Sequence, residues 1–177
     1  MQKRTLTTLV TLSALALLGA QQATASINVP IIGTTATFGF PDLLSVNPVA
    51  VSFSDNIRMT IAGAPSGGGN STVEARFNGL NPVLGAVNPG RITVVVEGQR
   101  SPGGNLSVAL YNFQSDSFVN MPNLTGFGAT DTIRRSVMGT NVRRFINNVG
   151  SIRVRIRSTS GAQGHRVRFD HVRILVD

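Results

Sequence analysis

Residues 152–157 alternate without a break: Ile152, Val154 and Ile156 are apolar, and Arg153, Arg155 and Arg157 stand between and after them. A period of two residues marks a strand with one buried face, whereas a helix would return its apolar positions every three or four residues. The pattern recurs in Ile57, Met59 and Ile61, in Val73, Ala75 and Phe77, in Ile92, Val94 and Val96, and in Leu106, Val108 and Leu110. Clusters of Gly, Asn, Pro and Ser at 64–70, 78–82, 88–90, 101–105 and 161–164 separate these runs, and such residues supply turn conformations. No stretch beyond residue 25 keeps a helical period for three turns, and 141–148 offers at most a single helical turn. Many short strands with regular turns predict an all-β fold, an antiparallel β-sandwich of jelly-roll type. Its expected core is Ile57, Met59, Ile61, Val94, Val96, Val108, Leu110, Ile152, Val154, Ile156, Val167 and Phe169, with Phe53 and Phe77 added by pattern.

The last two strands can be paired as a hairpin across the turn at 161–164. Arg157 then faces Arg166, Arg155 faces Arg168 and Arg153 faces Asp170, while Ile156 meets Val167 and Val154 meets Phe169 on the other face. A slip of one residue would bury the arginines, so the parity is well specified. Beyond Phe169 the apolar parity moves to Val172, Ile174 and Val176, which predicts a bulge near Asp170 and His171.

The N-terminus reads differently. Lys3 and Arg4 precede an apolar run over residues 6–20, and Ala23-Thr24-Ala25 follows. That is the layout of a helical signal peptide with a small-residue cleavage site, and the run falls short of the ~20 residues a membrane-spanning helix needs. The expected organisation is therefore a signal peptide over 1–25, an N-terminal lead-in with one edge strand over 26–48, and a β-sandwich domain over 49–177. The mature chain would begin at Ser26 and be secreted to the periplasm, cell surface or extracellular space, with no integral membrane segment left after cleavage.

Charge and missing residue types narrow the chemistry. The chain has 16 Lys plus Arg against 8 acids, and loss of Lys3 and Arg4 with the leader leaves 14 arginines against those 8, a formal +6. Absence of cysteine excludes disulfides, thiolate metal sites and a cysteine nucleophile. With no lysine after residue 25, Schiff-base and Ser-Lys mechanisms are excluded. The histidines are His165 and His171, and no Gly-x-Ser-x-Gly nucleophile motif occurs. Asp42, Asp55, Glu74, Glu97, Asp116, Asp131, Asp170 and Asp177 are scattered, so a glycosidase pair would have to converge from different strands. Asp170 could anchor a structural Ca²⁺, but no Asp-x-Asp cluster accompanies it, and pairing with Arg153 or Arg168 is the expectation. The sequons at Asn70, Asn105 and Asn123 are expected to be silent.

Several motifs occur in a recognisable order: Val96-Glu97-Gly98, Leu110-Tyr111-Asn112-Phe113, Arg144-Phe145-Ile146, then Ile152-Arg153-Val154-Arg155-Ile156 after Gly150, and a terminal Phe169-Asp170 with Val172. Over about Phe53 to Asp177 this order resembles the β-sandwich module of uncharacterised secreted bacterial proteins, which is similar in shape to carbohydrate-binding modules and galactose-binding-like jelly rolls. The resemblance implies a β-sandwich fold and carries no catalytic or ligand residue with it.

The sharpest surface feature is the arginine ladder. Arg153, Arg155, Arg157, Arg166 and Arg168 would form one basic patch for an anionic polysaccharide or another envelope polymer, weakened by salt. The plain alternative is a solvated face whose charges blunt edge-to-edge aggregation. Sugar stacking has little to work with: there is no Trp, Tyr111 is the single tyrosine, and Phe113, Phe118 and Phe127 lie in a loop-rich stretch. Nucleic acid is not expected, for want of stacking groups in the patch and because of export. The sequence thus reads as a secreted, non-catalytic binding or structural module without a cofactor or metal; the competing reading is a secreted glycan-active hydrolase.

Overall fold

The computed structural model describes residues 26–41, 58–66, 69–102, 105–122, 126–162 and 164–177. The expected leader at 1–25 and the expected core residues Phe53 and Ile57 lie outside these. The described strands are β1 (Ile27–Val29), β2 (Ile31–Phe38), β3 (Phe40–Pro41), β4 (Met59–Ala62), β5 (Ala64–Ser66) and β6 (Asn70–Leu80). They continue with β7 (Ile92–Ser101), β8 (Leu106–Asn112), β9 (Ser117–Asn120), β10 (Thr132–Met138), β11 (Ser151–Ser160) and β12 (Arg166–Val176). Two antiparallel sheets result. The first has the order β10-β7-β12-β4-β3, with β1 also on β12; the second has the order β2-β6-β11-β8-β9, with β5 also on β6.

The alternation does what it predicted. Met59, Ile61, Val94, Val96, Val108, Leu110, Ile152, Val154, Ile156, Val167 and Phe169 are all buried between the sheets. Phe77 of the second sheet meets Phe169 of the first edge to face, with ring centroids 5.5 Å apart. The expected bulge is present as well: the β12–β7 register shifts between Phe169 and His171, which lets Val172, Ile174 and Val176 continue inward. Gly98 lies opposite Phe169 there, and a Cβ on it would fall 2.1 Å from the carbonyl oxygen of Arg168. Only a residue without a side chain admits that approach. The helical turn expected within 141–148 is a 3-10 turn at Val142–Phe145.

Three features differ from the sequence expectation. The edge strand expected within 26–48 is present as β2, beside β6 in the second sheet, but the lead-in also pairs: β1 adds to β12 in the first sheet. Strand β6 runs through Asn78 and Gly79, expected as a break, because Gly79 pairs with Ile31 and Ile152.

The third difference concerns β11 and β12, which are not a hairpin. β11 pairs with β6 and β8 in the second sheet, and β12 pairs with β4 and β7 in the first. Consecutive strands β11 and β12 therefore belong to different sheets. Parity could not separate these arrangements. Strands side by side in one sheet, and strands facing each other across a core, both require Val154, Ile156, Val167 and Phe169 to point inward.

Candidate functional site: the arginine faces

The crossing of β11 and β12 divides the arginine ladder. Arg153, Arg155 and Arg157 lie on the outer side of the second sheet, Arg166 and Arg168 on that of the first. The five do not form one patch, and Arg153 does not face Asp170. Asp170 is instead buried at the bulge.

On the second sheet each arginine has a defined neighbour. Arg153 lies opposite Asn78, Arg155 opposite Arg76 and Ala109, and Arg157 opposite Glu74 and Ser107. Glu74 is fully buried beneath this layer. Arg157 reaches its Oε2 through Nε at 2.7 Å and Nη2 at 2.5 Å. Arg76 donates to Oε1 through Nε at 3.1 Å and Nη2 at 3.0 Å, and the Thr37 hydroxyl donates to the same oxygen at 3.1 Å. Burial alone would raise the Glu74 pKa. The hydrogen bonds from Arg157, Arg76 and Thr37 and the charge of Arg157 outweigh it and hold the carboxyl below its ordinary range.

Aromatic rings set the remaining guanidinium groups. Tyr111 and Phe118 are cross-strand partners on β8 and β9, and their rings meet edge to face at 5.1 Å. Phe113 packs against Tyr111 in the same manner at 5.1 Å. The Arg153 guanidinium carbon lies 5.1 Å from the Tyr111 centroid and 5.3 Å from that of Phe113. Arg155 lies 4.5 Å and Arg76 5.4 Å from the Phe118 ring. Cation–π contacts of this kind contribute about 0.5–1 kcal/mol each at exposed sites, and they also orient the charge. The expectation that the patch lacks aromatic groups is therefore corrected: the turn over 113–116 brings Phe118 beside Tyr111. Phe113 and Phe118 are half-buried, whereas Phe127 is buried in the core.

Three guanidinium groups, Arg76, Arg155 and Arg157, crowd around the buried carboxylate of Glu74, while Arg153 lies farther along β11 opposite Asn78. Glu74 is shared by Arg76 and Arg157. Burial lowers the Arg155 pKa; Glu74 opposes this, while Arg157 and Arg76 add to it. Its Nε–H is buried with no acceptor. The guanidinium remains charged at any ordinary pH. Beside it opens a groove of about 500 Å³ lined by Ile32, Thr35, Arg76, Asn78, Tyr111, Phe118, Ser151 and Arg153. A second hollow of about 310 Å³ continues along β11 past Asn105, Leu106, Ser107, Arg157 and Thr159.

On the first sheet, Arg166 lies beside Ser101 and Arg168 beside Gln99. With its amide set to satisfy both neighbours, Gln99 donates to the Ala129 carbonyl at 2.9 Å and accepts from Arg168 Nη1 at 3.1 Å. These residues and Gly164 line a polar pocket of about 300 Å³.

The described acids are otherwise engaged in part: Asp131 pairs with Arg58, Asp177 with Arg91, and Asp116 accepts from the Tyr111 hydroxyl. Asp42 and Asp55 lie outside the described residues. Among the described residues, no group of three or more His, Asp or Glu is placed to hold a metal ion. His165, just before β12, is fully buried, and Ser71 and Arg100 are buried as well. Burial first, and then the Arg100 charge, push the His165 pKa below its ordinary value; the nearby Ser158 backbone opposes this, although neither ring nitrogen has a hydrogen-bond partner of normal geometry. No helix among the described residues is long and apolar enough to cross a membrane.

No protein-family model matches this sequence, and comparison with curated proteins finds no match. Among solved structures, the chain is similar to a family 61 carbohydrate-binding module, TmCBM61, in complex with β-1,4-galactotriose. That match has 8% identity and a TM-score of 0.42, and covers 81% of this chain and 88% of that one. It is also similar to the family 32 module of AlyQ in complex with 4,5-unsaturated mannuronic acid, at 12% identity and a TM-score of 0.46, covering 85% and 98%. The Stig cyclase Fisc from Fischerella sp. TAU matches at 12% identity and a TM-score of 0.45, covering 86% and 98%. These are likenesses of shape shared by binding modules and an enzyme, and the roles of the arginines are read from this chain alone.

Proposed function

We propose that this protein is an exported, non-catalytic β-sandwich module that binds an acidic glycan or similar polyanionic envelope polymer along the outer face of the second sheet. One observation carries the reading: guanidinium groups already sit against Tyr111, Phe113 and Phe118. A neutral sugar ring would need those ring faces free for stacking. Stacked guanidinium groups instead present in-plane N–H donors, suited to two-pronged contact with carboxylate or sulfate. Residues at i and i+2 on a strand are ~6.8 Å apart, so Arg153, Arg155 and Arg157 form a row that suits a polymer with repeated charges better than a single small anion. The hydrolase reading is disfavoured because Glu74, Asp131 and Asp177 are held by arginines.

In titration calorimetry, heparin or alginate oligosaccharides should bind with an affinity that falls steeply as salt rises, and a neutral glucan should bind weakly or not at all. Arg153→Ala and Arg155→Ala should each lower polyanion affinity by about tenfold, equivalent to ~1.4 kcal/mol. Neutral glycans binding as tightly as acidic ones, without salt dependence, would overturn the assignment. Export is supported by the leader pattern, and exported protein should begin Ser26-Ile27-Asn28; mass spectrometry finding residues 1–25 intact on it would contradict cleavage.

A further inference from the structure

We infer that the first sheet carries a separate anion site at Arg166 and Arg168, so that one molecule bridges two acidic polysaccharide chains. The inference rests on the proposed binding function of the second sheet and extends it. The topology provides the geometry: β11 and β12 belong to different sheets, and their outward arginines point away from each other across the sandwich. Packed sheets are ~10 Å apart before the outward side chains are added, so a chain lying along Arg153–Arg157 cannot also lie along Arg166 and Arg168.

The second location has the features of a site in its own right. Its pocket of about 300 Å³ is open and polar, with Arg166 exposed at its rim. Neither Arg166 nor Arg168 forms an ion pair with a described carboxylate, unlike Arg58, Arg76, Arg91 and Arg157. Arg168 is held by the Gln99 side chain, itself fixed to the Ala129 carbonyl, which limits the ordering needed on binding. Two guanidinium groups two residues apart, with Ser101 and the backbone at Gly164 beside them, suit the carboxylate or sulfate groups of an acidic polysaccharide. Linking two such sites in one rigid body turns a weak binder of single chains into a cross-linker of polymer.

Heparin supplies the test. Titration calorimetry with a short heparin oligosaccharide should show two sites on the wild-type protein. The R166A/R168A double variant should keep one site with its affinity changed less than about threefold, and R153A/R155A should keep the other. Long-chain heparin mixed with wild type near equivalence should scatter light strongly and clear in excess polymer, whereas R166A/R168A should lose at least about 80% of that scattering. An R135A/R173A variant, which removes the same charge elsewhere on the first sheet, should scatter like wild type. Thermal melts check folding, and R166Q/R168Q serves if the alanine pair does not fold. One oligosaccharide per wild-type molecule, or scattering unchanged in R166A/R168A or equally lost in R135A/R173A, overturns the inference while leaving the second-sheet site standing. No oligosaccharide binding by the wild type overturns both.

Discussion

Phe169→Ala should lower the unfolding free energy by about 3–5 kcal/mol, a large part of what a domain of this size has in reserve. The side chain is fully buried, meets Phe77 of the opposite sheet at 5.5 Å, and has Phe127 at 6.5 Å. Truncation removes apolar contacts from both sheets at once, and Gly98 next to it has no side chain with which to fill the space. The cavity therefore adds to the lost transfer free energy. Chemical denaturation monitored by circular dichroism measures the loss directly. The Phe77→Ala/Phe169→Ala double variant should lose less than the sum of the two singles, because they share one contact. A loss below about 1 kcal/mol for Phe169→Ala would mean that the two sheets do not close on this residue.

The second large effect is acid sensitivity, centred on Glu74. Its carboxyl titrates below the ordinary value of about 4.5 in the folded protein. Its stabilisation is thus complete above that value and disappears as pH falls through the lowered folded one. Glu74→Gln at neutral pH should cost ~2–3 kcal/mol, since it leaves Arg76, Arg155 and Arg157 crowded with no counter-charge. That is less than for a deep ion pair, because Arg76 and Arg157 each keep 42% of their side-chain surface exposed.

His165 adds an upper stage. Burial and Arg100 hold its pKa below the ordinary value of about 6.5. The unfolded chain therefore takes up a proton that the folded protein refuses, and stability declines as pH drops from about 6.5. His171 acts in the same sense, through burial first and then Arg173, against Glu97 and Asp170. Stability measured from pH 8 to pH 3 should fall in two stages. His165→Asn should flatten most of the upper one, and Glu74→Gln should remove most of the lower. A wild-type profile level from pH 7 to pH 5 would refute the assignment for His165.

Strand existence and facing were legible from residues alone. The alternation of Ile152, Val154 and Ile156 with arginine required an edge between an apolar interior and water, and the parity change after Phe169 required a bulge. Both follow from local geometry, since successive side chains of a strand point to opposite faces. The aromatic partners of the arginines were half legible. Tyr111 and Phe118 are separated by turn-forming residues, and the cross-strand pairing that stacks them follows once a hairpin closes over 113–116. Their contact with Arg153, Arg155 and Arg76 was not legible, because it joins β6, β8, β9 and β11.

By itself, then, the sequence determined an all-β chain, the inward and outward residues of each strand, and an arginine-rich exterior. Tertiary structure alone decided which strands lie side by side. Arg157 finds its carboxylate in Glu74, 83 residues away. β12 lies in the opposite sheet from β11, so a ladder that reads as one patch becomes two faces. The reason is physical: alternation records only whether a side chain meets apolar surroundings or water, and a neighbour in the same sheet and a partner across the core satisfy that condition equally.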